Sequence, residues 1–95
     1  MHVYLVAYDV ADDDRRADIA DVCASFGRRI QYSVFECLLG ETGFARLLVD
    51  LEPLVHHDAD QVLVFDLGPL EGRGASAVRS LGKPYSAPST KAIVV

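Results

Sequence analysis

The chain has 95 residues, 51% hydrophobic and 24% charged, with a formal net charge of −5. This is the composition of a globular domain rather than a disordered one. It contains no apolar run near the ~18–20 residues of a membrane span, and its acidic total argues against a protein that binds nucleic acid through its overall field. A domain this small buries only roughly 60% of its unfolded surface, so its own core is marginal and a partner, such as a second copy, is expected.

The first residues do not read as an export signal, because Asp9 interrupts the apolar stretch and no basic segment precedes it. Cys23 and Cys37 are too few for a disulfide framework and are expected to be reduced thiols, which places the protein in the cytoplasm with no membrane partner. The charge is unevenly spread. Residues 1–71 hold all 14 acids against five basic residues, whereas residues 72–95 hold Arg73, Arg79, Lys83 and Lys91 and no acid. The basic tail either complements the acidic body, in the same chain or a twin, or offers nucleic acid a local surface.

His2 to Tyr8 alternates Val3, Leu5 and Ala7 with Tyr4, Val6 and Tyr8, so both faces are apolar, as in a central strand. The strand stops at Asp9. Asp12 to Asp14 suit a helix start, with Asp12 as the cap. Ile19, Val22, Cys23 and Phe26 then recur at helical spacing, which predicts a helix over 13–26 closed by Gly27. A second β region, 28–39, is expected to bend near Ser33. Thr42 is the expected cap of a second helix with the stripe Phe44, Leu47, Leu48, Leu51 and Val55, broken at Pro53. A third strand, 61–67, ends at Gly68-Pro69. Residues 70–90 read as a loop or arm with a short helical turn around 75–81, and Lys91 to Val95 as a last strand.

The order is that of an α+β, ferredoxin-like βαββαβ sandwich with an extra C-terminal strand. Residues 1–67 form its core. Residues 68–95 are expected to form an arm and a strand of the same single domain, suited to exchange in a homodimer.

Asp9 stands where an apolar strand gives way to a loop, a common place for a functional carboxylate, and also a place where an aspartate caps a turn. One carboxylate makes a poor magnesium site. Two, with waters and phosphate oxygens, make a good one, and a twofold dimer would supply the second Asp9 by symmetry. Arg15 and Arg16, in the first helical turn, either pair with Asp12 to Asp14 or grip phosphate, and Arg28 and Arg29 form a second basic pair at a strand start. The run His56-His57-Asp58-Ala59-Asp60 has metal-capable side chains at unfavourable spacing. Tyr4, Tyr8, Tyr32, Phe35 and Phe44 could stack on bases, although aromatic residues on strands usually pack in the core.

The stretch Tyr8-Asp9-Val10-Ala11-Asp12-Asp13-Asp14-Arg15-Arg16, then Gly27, then Arg29-Ile30-Gln31-Tyr32-Ser33-Val34-Phe35-Glu36, resembles the CRISPR-associated protein 2 family. The resemblance is strong over 3–39 and weaker beyond 68. It implies a ferredoxin-like homodimer whose last strand joins the partner's sheet. It also implies a Mg²⁺-dependent (or Mn²⁺-dependent) endonuclease acting on RNA or DNA, and a role beside the CRISPR-associated protein 1 integrase in acquiring spacers. On this resemblance Asp9 is the catalytic, metal-binding residue, and Tyr8, Arg16, Arg29 and Phe35 contact nucleic acid. Asp18 departs from relatives that are basic there. An alternative role in the same process is a non-catalytic dimeric scaffold that bridges the integrase and touches spacer DNA.

Overall fold

The computed structural model describes residues 1–88; the expected last strand, and with it the strand exchange, lies outside them. Strand β1 is His2–Asp9, helix α1 Asp13–Phe26, β2 Gly27–Gln31, β3 Val34–Leu39, α2 Glu41–Leu51, β4 Gln61–Pro69 and α3 Arg73–Ser76. A single 3₁₀ turn, Glu52–Leu54, follows α2. The sheet order is β2-β3-β1-β4 and every pairing is antiparallel. This is the ferredoxin-like arrangement, with β1 central.

Asp12 caps α1 as expected: its carboxylate accepts the Arg15 backbone N–H at 2.9 Å. Gly27 ends α1 in extended rather than left-handed conformation and is at once the first residue of β2. It must be glycine for a steric reason. A Cβ there would lie 2.1 Å from the Glu36 carbonyl oxygen and 2.7 Å from Cys37 Sγ, so β2 pairs with β3 only if that atom is absent. Gly68 has φ +101°, beside a register shift at Val3 and Tyr4, and needs glycine for its backbone conformation.

The second helix differs from expectation at its start. Gly40, not Thr42, is the N-cap, no side chain caps the end, and the Phe44 N–H reaches the Gly40 carbonyl at 2.9 Å. Thr42 is already inside the helix. Leu47 and Leu51 are buried, but Leu48 is 42% exposed, so the apolar stripe is narrower than expected. Pro53 stops α2 by falling in the first positions of the 3₁₀ turn, where its missing N–H leaves no bond unmade. The short helix near the arm comes earlier than expected, over Arg73–Ser76.

Strand register assigns the faces. Tyr4, Val6, Tyr8, Phe35, Cys37, Leu39, Val62 and Val64 lie on one face and pack with Ile19, Cys23, Leu47 and Leu51 of the two helices. Tyr4 stacks on Phe44 with centroids 4.3 Å apart. Leu5, Ala7, Val34, Leu63 and Phe65 lie on the other face, which no helix of the described residues covers apart from α3 beside Val3. Leu63 and Phe65 are 44% and 47% exposed.

Candidate nucleic-acid interface and carboxylate site

Four segments converge at one end of the sheet: the end of β1, the start of α1, the Tyr32-Ser33 turn between β2 and β3, and the loop entering β4. The Tyr8 N–H donates to the Ser33 carbonyl at 3.1 Å, and Asp9 pairs in register with Gln61. The loop entering β4 is fixed by Asp60, whose side chain has no exposed surface. Arg15 donates Nε–H to Asp60 Oδ2 at 2.7 Å and an Nη2 proton to Oδ1 at 3.0 Å, while the His56 N–H donates to Oδ2 at 2.9 Å. The Arg15 hydrogen bond, then the His56 N–H, holds the Asp60 carboxyl below its ordinary range. Arg15 is therefore a structural tie across 45 residues of chain rather than a free phosphate ligand.

Arg16 is also engaged, donating to the Val10 and Ala11 carbonyls at 3.0 and 3.2 Å and to Asp13. The Asp13 hydrogen bond is the main reason its guanidinium stays charged above the ordinary range, with a lesser part from Tyr32. Arg29 differs. It enters no ion pair among the described residues. Its guanidinium lies 5.0 Å from the Phe35 ring centroid and 6.0 Å from that of Tyr32, and an Nη2 proton points to Tyr8 Oη at 3.5 Å. Tyr8, Asp13, Arg16, Ala17, Ala20, Arg29 and Tyr32 line an open groove of about 300 Å³.

Tyr8, Arg16 and Arg29 thus share one groove. Phe35, 2% exposed, belongs to the core and reaches the surface only as the platform beneath Arg29. Tyr4 and Phe44 are core residues too. Tyr32, one of the aromatic residues that could stack on bases, is 73% exposed on the groove's rim. Its position at the predicted bend, where a side chain leaves the sheet, accounts for that exposure.

Asp9 neighbours Tyr8 in sequence but follows the strand alternation to the open face, with Leu5 and Ala7. It is exposed and joins no ion pair among the described residues. An exposed, unpaired carboxylate suits a hard cation that keeps several waters, but one chain contributes only this one. No group of three metal-capable side chains occurs among the described residues. The His56 to Asp60 run does not form a site either, since Asp60 is committed to Arg15 and His57 Nε2 lies 3.1 Å from Glu52.

The two thiols are buried and free, and burial pushes them up to about 11 for Cys23 and about 12 for Cys37, so neither is a nucleophile at neutral pH. On the open face Glu36, 3% exposed, accepts from Arg28 Nε at 2.9 Å. Arg28 in turn donates to the Ser86 carbonyl and lies 5.7 Å from the Tyr85 ring centroid. This ties the chain after α3 to β2. Among the described residues no helix is long and apolar enough to cross a membrane.

The chain is similar to known proteins along most of its length. The family described as CRISPR associated protein Cas2 matches residues 1–70. A CRISPR-associated endoribonuclease Cas2 of Synechocystis is 37% identical over 84 residues, covering 88% of each chain. The crystal structure of Streptococcus pyogenes Cas2 is 28% identical with a TM-score of 0.70, covering 84% of this chain and 99% of that one. A chain of a partial Cas6-RT-Cas1–Cas2 complex shares the fold at 24% identity and a TM-score of 0.61, over 74% and 82%. With its ferredoxin-like sheet and the YD and QYSVFE segments joined at one end, the chain belongs to the Cas2 family.

Proposed function

We propose that the protein is a metal-dependent endonuclease, a phosphodiesterase on RNA or DNA, that works as a homodimer in CRISPR spacer acquisition in the cytoplasm. The observation that carries this reading is Asp9: an exposed carboxylate that has no cationic partner among the described residues, at a strand end one residue from a groove whose Arg29 enters no ion pair among those residues. The name of the Synechocystis relative, an endoribonuclease, supports the activity. The complex containing Cas1 and Cas2 supports a partnership with the CRISPR-associated protein 1 integrase.

Asp9 shares its face with Leu5, Ala7, Leu63 and Phe65. Two chains that bury this apolar face against each other would bring two copies of Asp9 toward one axis, making up the second carboxylate that a single chain lacks. The paired Asp9 carboxylates would hold Mg²⁺ or Mn²⁺, which when bound polarises a phosphoryl oxygen and acidifies a water. Arg29 neutralises a neighbouring phosphate, held at its angle by Phe35 beneath and Tyr8 beside it. Arg16 holds the Val10-Ala11 backbone that leads from Asp9 into α1.

The second reading is a scaffold that bridges the integrase and contacts spacer DNA without cleaving it. The presence of Cas1 in the neighbouring complex favours it. One experiment separates the two. Asp9→Asn is nearly isosteric and exposed, so the variant should fold and associate as the parent does, while Mg²⁺-dependent cleavage falls by about 10²-fold or more. Equal cleavage by both proteins would remove the catalytic role from Asp9. No cleavage by either, with integrase binding intact, would establish the scaffold.

A further inference from the structure

Tyr32 meets the chain through Arg16 and Arg29, yet most of its ring stays in solvent. It is 73% exposed, against 47% for Phe65 on the open face. Its backbone is nonetheless held firmly. Gln31 and Val34 pair across the turn, and the Ser33 carbonyl accepts the Tyr8 N–H from the central strand at 3.1 Å. Exposing an aromatic ring on a rigid two-residue turn gives up burial energy that the same ring would gain in the core. The groove beside it is open, holds about 300 Å³, and carries Arg29, which has no carboxylate partner among the described residues. Arg16, which also lines the groove, is committed to Asp13 and the backbone.

We infer that Tyr32 is a stacking platform for one unpaired nucleobase, whose adjoining phosphate is taken by Arg29. This rests on the reading of the protein as one that handles nucleic acid, and adds to it a residue that meets the base rather than the backbone. Arg29 supplies the charge that any backbone satisfies, without regard to sequence. A ring face does something different: it can be covered only by a base that has left its own stack, because in a duplex both faces of each base are occupied by neighbours. The groove lies at the small end of the range for ligand pockets, which suits one nucleotide rather than a helix. Its net charge is modest, since Asp13 offsets Arg16. Stacking therefore carries a large share of the affinity, and with it the discrimination between paired and unpaired strands.

The test compares a fluorescently labelled single-stranded oligonucleotide of twelve thymidines with an abasic strand of about the same length, by anisotropy at fixed salt. The parent protein should bind the base-bearing strand roughly tenfold more tightly than the abasic one. Tyr32→Ala should abolish that ratio while leaving affinity for the abasic strand unchanged, and Tyr32→Phe should keep it, since the ring rather than the hydroxyl is the platform. Arg29→Ala should weaken both strands by a similar factor and preserve the ratio. The inference is overturned if Tyr32→Ala leaves the ratio as it was. It is also overturned if that variant keeps the ratio but changes the sedimentation of the protein alone, which would make Tyr32 a contact between protein chains. Failure of the parent to bind either strand would overturn the nucleic-acid reading itself, a result distinct from a persistent ratio.

Discussion

The two faces of the sheet are built from the same strands with the same alternation of apolar residues, and they end in different states. On the face under the helices Val6, Phe35 and Cys37 are 0%, 2% and 0% exposed. On the other, Leu63 and Phe65 keep almost half their surface in contact with solvent. The difference lies in connectivity. Both helices of a βαββαβ chain return on one side, so among the described residues the second side has only α3 and the chain that follows it up to residue 88. The covered face supplies the chain's own stability. The open face carries Asp9 and the apolar surface that a second chain would complete.

Breaking the covered face should have the larger effect. Leu47 is fully buried, and Leu47→Ala should cost about 2–5 kcal/mol. A chain of this length has only about 5–14 kcal/mol in all, so a large part of its stability should go. Urea denaturation with an unchanged slope would verify it.

Next comes the Asp60 tie, which fixes the loop between the covered face and the site. Its carboxyl is depressed from an ordinary 3.8 by Arg15 and the His56 N–H. A depressed acid contributes stability that is fully present above its unfolded-state pKa and is lost as pH falls through the folded one. The parent should therefore lose stability below about pH 4, and Asp60→Asn, less stable at neutral pH, should show a flatter acid limb in thermal melts. Asp66, depressed by His2 and the Gly68 N–H, adds a second contribution of the same sign.

The smallest effect on a single chain belongs to the open face. Phe65→Ser should alter the stability of dilute protein by only about 1 kcal/mol, since the ring is half exposed already. In sedimentation at higher concentration it should shift the protein from dimer to monomer. A large loss of stability in dilute protein, with no shift, would show that Phe65 serves the chain's own core and would erase the contrast between the faces.

Much of this was legible from residue order. The helix over 13–26, its Asp12 cap, the bend at Ser33 and the central place of β1 each follow from local pattern, because each is decided within a few residues. What escaped depends on distance. Nothing near Arg15 indicates that it meets Asp60, 45 residues away, instead of a phosphate or Asp12 to Asp14 alone. The Arg28–Glu36 pair needs the strand register. Nothing within the strand 61–67 shows that Leu63 and Phe65 face away from the helices, because an apolar run looks the same whichever side the helices return to. Thr42 looked like a cap because threonine often is one, but the chain turned two residues earlier, at Gly40. Of the residues that the family resemblance assigned, Tyr8, Arg16 and Arg29 come together in one groove, Phe35 lies beneath it and Asp9 faces the other way.

The junction at Gly27, where α1 passes into β2 with no intervening loop, couples two walls of the groove. Arg16 rides on the helix and Arg29 on the strand, and nothing between them can take up slack. Inserting one residue in α1 would turn every earlier side chain by about 100° about the helix axis, and no linker could absorb it before β2 met β3. The stretch from Asp13 to Arg29 therefore behaves as a gauge of fixed length. Its individual surface residues are free to vary, but its residue count is not, and lineages of this fold should differ there by substitution while insertions collect in the chain beyond β4.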